Sequence, residues 1–138
     1  MRIGELARQA GVSTRTLRHY EALGLVTARR AANGYRDYAD SEMRAVAEIR
    51  SLAGLGFTLE ETRPFVECLR AGNSVGGSCP DSIAVYRHKL RQVDGYLSRL
   101  SQVREELQAQ LTAALVARAQ SAADPRCEFS RPVSSASP

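Results

Sequence analysis

Three side chains of this 138-residue sequence can carry thiol chemistry: Cys68, Cys79 and Cys127. Cys79 lies in GGSCPDS (76–82), directly before Pro80. Proline suits the first position of a helix, where its missing N–H leaves no bond unmade, so Cys79 reads as an N-cap. Unpaired backbone N–H groups and the helix dipole favour a thiolate there. A thiolate is the form that binds soft metal ions and reacts with oxidants. Cys68 stands beside Phe65 and Leu69 and reads as a buried structural cysteine. Three cysteines without a disulfide-framework spacing favour a reducing cytoplasm.

The second kind of chemistry is guanidinium. Residues 1–36 hold seven arginines (2, 8, 15, 18, 29, 30 and 36) against Glu5 and Glu21, a net of +5. The whole chain carries +4, so the remainder sums to about −1. A basic head on a neutral body points to a polyanionic partner for the head alone. Lys89 is the single lysine, and Arg is the better fork for phosphate and guanine.

Short elements must position these groups. Ile3, Leu6, Ala7 and Ala10 share one face of an amphipathic helix that Gly11 ends. Ser13 caps a second helix with Leu17, Tyr20 and Leu23 inward and Gly24 as its stop. Two short helices around a glycine-containing turn form a helix-turn-helix candidate. Asn33-Gly34 then predicts a tight hairpin in which both central residues accept positive φ. Its arms carry Arg29, Arg30, Tyr35, Arg36 and Tyr38, a density of guanidinium and phenol that reads as a DNA-binding wing.

Beyond the hairpin, Asp40 or Ser41 opens a helix to about Leu55, and the capping box Thr58-Leu59-Glu60-Glu61 opens another to about Leu69. Pro64 is expected to remove a hydrogen bond from that helix, and Ala71 to Ser78 reads as a loop. From Pro80 a heptad repeat runs for more than four turns of the pattern. Ile83, Leu90, Leu97 and Leu111 occupy a; Tyr86, Val93, Leu100, Leu107 and Ala114 occupy d; Arg104 interrupts at a. Such a helix is about 50 Å long. It cannot bury its stripe on a small head, and a second copy is the expected partner. The domain reading is therefore 1–38 DNA-binding head, 39–78 linking helices and loop, 79–119 dimerisation coil and 120–138 a mobile tail with a docking option for Cys127 and Phe129. The expected fold class is mostly α, a winged helix-turn-helix followed by a helix pair and a long coil.

The run STRTLRHYEALGLV (13–26), followed by NGYRDY (33–38) and a dimerising helix, resembles the MerR family of bacterial transcription regulators. The resemblance covers about residues 1–118. It implies an antiparallel coiled-coil homodimer on promoter DNA whose −35 and −10 elements are too far apart. It also implies that an effector makes the dimer bend and undertwist that DNA for RNA polymerase. Matching positions imply DNA contacts by Arg18, with Arg15, Thr16, His19 and Tyr20 near it, and by Arg30, Tyr35 and Arg36 in the wing. Phosphate contacts of this kind set register before any base is read.

Metal sensors of that family hold a cysteine at the start of the long helix and complete the site with cysteines from a loop of the other subunit. Cys79 matches the first, and Cys127 falls near the last of the loop cysteines, but the cysteine expected at the start of that loop is missing. The copper-sensor run and the four-cysteine cluster of iron–sulfur sensors are absent. Three readings stay open for Cys79. One is a thiophilic metal site with Cys127, joined by His88 or water. Another is thiol sensing of an oxidant or electrophile, and the third is an incidental turn residue in a regulator of organic ligands. An enzyme is not expected, for want of HExxH, a nucleophile elbow, a phosphate loop or paired carboxylates. The remaining alternative class is an architectural DNA-bending protein or simple repressor, against which the long heptad helix argues. No run of about 18 apolar residues suggests a membrane span.

Overall fold

The computed structural model describes residues 1–122; the expectations for the tail and for Cys127 lie outside the described residues. Contacts divide the chain into two units, Met1–Leu90 and Arg91–Pro138. In the first, α1 (Ile3–Ala10) and α2 (Thr14–Ala22) form the helix-turn-helix. Gly11 closes α1, and the Ser13 hydroxyl accepts from the Thr16 N–H at 3.0 Å, as an N-cap should. Leu6, Ala7, Leu17 and Tyr20 face inward from the two helices and pack with Leu25, Val26, Tyr38, Ala45, Val46 and Ile49.

Strands β1 (Arg29–Arg30) and β2 (Arg36–Asp37) pair antiparallel, Arg29 opposite Asp37 and Arg30 opposite Arg36. The turn is longer than the tight hairpin expected from Asn33-Gly34. Ala31 N–H donates to the Tyr35 carbonyl at 2.8 Å and Gly34 N–H to Ala31 at 2.9 Å, and only Gly34 has positive φ, +85°. Asn33 instead uses its side-chain oxygen to accept from the Tyr35 N–H at 3.1 Å. A single left-handed residue at Gly34 suffices because the extra residue lets the strands keep their twist.

Helix α3 (Ser41–Gly54) packs on α1 and on α4 (Leu59–Arg70). The capping box is present in both halves: Glu61 N–H donates to Thr58 Oγ1 at 3.2 Å and Thr58 N–H to Glu61 Oε1 at 2.8 Å. Pro64 lies inside α4, where it offers no N–H to the Glu60 carbonyl. The segment read as a plain loop contains a 3-10 turn, Gly76–Ser78, and α5 (Pro80–Ala122) follows. Side-chain clamps join the elements: Arg50 donates to the Ala10 carbonyl at 2.6 Å, Arg63 to Leu23 at 2.6 Å and Arg70 to Leu25 at 2.9 Å.

In the second unit the described residues continue α5. Val93, Leu97, Leu100, Leu107 and Leu111 are exposed along it, Leu97 at 59% and Leu100 at 64%. Tyr96, Val103 and Leu115 are exposed too and widen the stripe beyond the a and d positions, including beside Arg104. Among the described residues no helix is long and apolar enough to cross a membrane.

Candidate nucleic-acid interface and thiol junction

Helix α2 buries Leu17 and Tyr20, which leaves Arg15, Arg18 and His19 exposed at i, i+3 and i+4 on the opposite side. Thr16 is half-buried, its hydroxyl 2.9 Å from that of Ser13. Tyr20 departs from the other candidates: only 7% exposed and packed in the core, it keeps little more than an edge for a partner. In the hairpin, Arg30, Tyr35 and Arg36 are exposed and line a groove of about 370 Å³ with Arg2. Sequence reasoning did not single out Arg2. Its guanidinium lies over the Tyr35 ring, 4.4 Å from the centroid, and adds a cation at the wing.

Tyr38 does not belong to the exposed wing set. It is fully buried, and its hydroxyl donates to Glu21 Oε1 at 2.6 Å. Burial and the neighbouring Glu21 carboxylate push the phenol up to about 12. The other oxygen of Glu21 stands 3.6 Å from Arg36. One carboxylate of α2 thus holds both ends of the β2 segment and positions the wing beside the exposed arginines. The N-terminal ammonium adds a second anchor, 2.9 Å from Asp37, whose carboxyl it holds below the usual range. Glu42, buried on α3, is a third such group. It accepts from the Thr27 N–H and hydroxyl at 3.2 and 3.1 Å and from Arg70 at 3.0 Å, so its charge is fully partnered.

The junction before α5 differs most from expectation. Cys79 is the N-cap residue: the Ile83 N–H donates to its carbonyl at 3.0 Å. Its sulfur, however, is bonded to Cys68, with Cα atoms 5.9 Å apart and a sequence separation of 11. Cys68 is buried as expected, at 3% exposure, but it is not a solitary structural cysteine. In this structure the Cys79 sulfur is engaged with Cys68, and Cys127, its expected partner in a metal site, lies outside the described residues. His88 is exposed, and among the described residues no three His, Cys, Asp or Glu side chains form a group that could hold a metal ion. Pairing of Cys68 with Cys79 was not legible because α4 and the following turn bring them together, not a spacing motif.

The first turns of α5 are also engaged within the protomer. Tyr86, read as a d-position interface residue, lays its ring edge-on to Phe65 and Phe57, with centroids 4.9 and 6.0 Å away. A Cβ on Gly77 would meet the Tyr86 ring at 2.8 Å, so glycine permits this close approach. Lys89 bridges to Glu61 at 2.9 Å. Ile83 is 37% exposed and Leu90 62%, which leaves both accessible at the start of the stripe.

A winged helix-turn-helix with a basic exposed face, followed by a helix pair and a long helix, defines a DNA-binding transcription regulator. Two family models match: "MerR family regulatory protein" over residues 2–38 and "MerR, DNA binding" over 43–110. The chain belongs to the MerR family of transcription regulators, which is not a family of enzymes. It is 31% identical over 108 residues to HTH-type transcriptional regulator HmrR of Rhizobium leguminosarum bv. viciae, covering 78% of this chain and 81% of that one. It is 35% identical over 112 residues to nodulation protein NolA of Bradyrhizobium elkanii, spanning 80% of this chain but 47% of that relative's length. Its structure is similar to that of transcription regulator PbrR691 from Ralstonia metallidurans CH34 in complex with lead(II). The TM-score is 0.63 at 29% identity, over 78% of this chain and 82% of that one.

Proposed function

We propose that two copies of this chain join through the exposed stripe of α5 and bind one promoter, distorting an over-long spacer so that RNA polymerase can use it. The observation that carries this reading is the pairing of a basic face on α2 and the wing with a long helix whose apolar stripe is exposed along its second unit. Arg15, Arg18 and His19 would enter the major groove, with Thr16 and the edge of Tyr20 at its margin. Arg30, Tyr35 and Arg36 would grip phosphates beside it. Indirect readout of the spacer then becomes the switch. We place the protein in the cytoplasm with its DNA.

The signal acts at Cys79, where the DNA-binding half meets α5. Thiol oxidation is the reading favoured here, because the sulfur of Cys79 already has a partner within reach. A thiophilic metal ion is the second reading, favoured by the likeness to PbrR691, whose structure contains lead(II). It requires the Cys79 sulfur to be free and further donors, Cys127 first among them.

A binding titration on a promoter fragment selected from genomic DNA tests the core of this reading. Saturation at two chains per fragment is expected, with Arg18→Ala weakened about tenfold and the salt slope reduced by about one. Saturation at one chain, or unchanged affinity for the variant at matched salt, would contradict it.

A further inference from the structure

We propose that Cys68 and Cys79 form a reversible oxidation site, a dithiol that a hydroperoxide closes to the disulfide of this structure, with Cys68 as the resolving thiol. The inference rests on the reading of Cys79 as the sensing position and adds its partner, its oxidant class and its route to the DNA head. Three observations carry it.

The two sulfurs differ in access. Cys68 is buried within α4, whereas Cys79 is half-buried at the N-cap of the 43-residue α5. An oxidant therefore meets Cys79 first. The Asn73 side-chain amide donates to the Cys79 sulfur at 3.3 Å, and the first N–H groups of α5 surround the same position. Both favour the nucleophilic thiolate. The Cys68 sulfur lies near the Val75 carbonyl at 3.6 Å and the Ser78 hydroxyl at 3.7 Å, which keep it beside the 3-10 turn that leads to Cys79.

The chemistry balances with a peroxide as the only added reactant. The Cys79 thiolate attacks one peroxide oxygen, the O–O bond breaks, and the leaving oxygen takes a proton to become water or an alcohol. Cys79 then carries a sulfenic acid. The Cys68 sulfur gives up its proton and attacks the Cys79 sulfur; the S–O bond breaks, and the second oxygen departs as water. Two thiols lose two electrons in total, and the peroxide gains them. A dithiol reductant reverses the change by exchange. In a compartment that keeps thiols reduced, a disulfide of this kind is commonly transient and redox-sensing.

The bond also has a mechanical route to the DNA head. Cys68 rides on α4, and α4 is clamped to the segment that follows α2 through Arg63 on the Leu23 carbonyl and Arg70 on the Leu25 carbonyl. Closing the bond ties the N-cap residue of α5 to α4. The turn between them has little slack: a Cβ on Gly76 would meet the Glu48 carboxylate and the Phe65 carbonyl at 2.9 Å.

The test uses the full reduced chain, hydrogen peroxide and a thiol count with peptide mapping. Wild type is expected to fall from three free thiols to one, and Cys127→Ser from two to none, with the linked peptides carrying Cys68 and Cys79; dithiothreitol should restore the count. Cys68→Ala should instead accumulate a dimedone-reactive sulfenic acid at Cys79. A bond between Cys79 and Cys127, retention of all thiols, or a Cys127→Ser chain that no longer forms the pair would overturn the proposal. Because Cys127→Ser keeps both cysteines of the pair, the result does not depend on whether the Cys68 variant folds. If the bond forms as stated but transcription is the same in both forms, the oxidation site stands and the sensing role of Cys79 falls.

Discussion

Glu21 illustrates how a single side chain can organise a surface it does not itself offer to a partner. It receives the Tyr38 hydroxyl and faces Arg36, so the wing keeps its place beside Arg15 and Arg18. Tyr38→Phe should therefore lower stability by about 1 kcal/mol at neutral pH. The sign with pH follows from the raised phenol. Its contribution is fully present below an unfolded value near 10 and is lost as pH rises toward about 12. Urea denaturation across that range should show a shallower alkaline decline for the variant than for wild type, and matching profiles would remove Tyr38 from this role. The sequence made Tyr38 look like one more phenol of the wing, because alternation along two short strands does not reveal which face has a buried acid waiting. The exposed arginines of α2 were legible, since a 3.6-residue period separates them from Leu17 and Tyr20 without any long-range information.

At the scale of elements, local signals were readable and distant ones were not. Ser13, the Thr58 box and Gly11 mark helix ends through contacts three or four residues away, and each end falls where its chemistry requires. The Arg70–Glu42–Thr27 network joins three segments of the chain and left no trace in any window. The same distance hid the pairing of Cys68 with Cys79 and the turn of Tyr86 back onto Phe57 and Phe65. The start of α4 makes a quantitative test. Thr58→Ala should cost about 1 kcal/mol in chemical denaturation. Glu61 is held below the ordinary carboxyl range by the Thr58 backbone N–H first and by Lys89 after it. Its depressed folded value means that this stabilisation is present above an unfolded value near 4.3 and is lost as pH falls through the folded one. Glu61→Gln should flatten the acid side of the stability profile, and an unchanged acid slope would show that the box and Lys89 hold no charge-dependent stability.

For the whole molecule, the apolar side chains along residues 91–122 are the feature a single copy leaves uncovered. Their heptad order was readable because it repeats, while Tyr96 and Val103, which broaden the stripe, fell outside a strict a/d reading. A second copy is the occupant that the proposed function assigns, and two basic heads on one duplex follow from it. Thiol state at the α4–α5 junction would then change the spacing or twist that the pair imposes, without changing which bases are contacted. The most direct test is in vitro transcription by RNA polymerase from a bound promoter with an over-long spacer, using reduced and peroxide-treated dimer at equal promoter occupancy. Transcript levels should differ between the two forms in wild type and Cys127→Ser and become equal in Cys79→Ser. Equal transcript from both forms of wild type at full occupancy would contradict it.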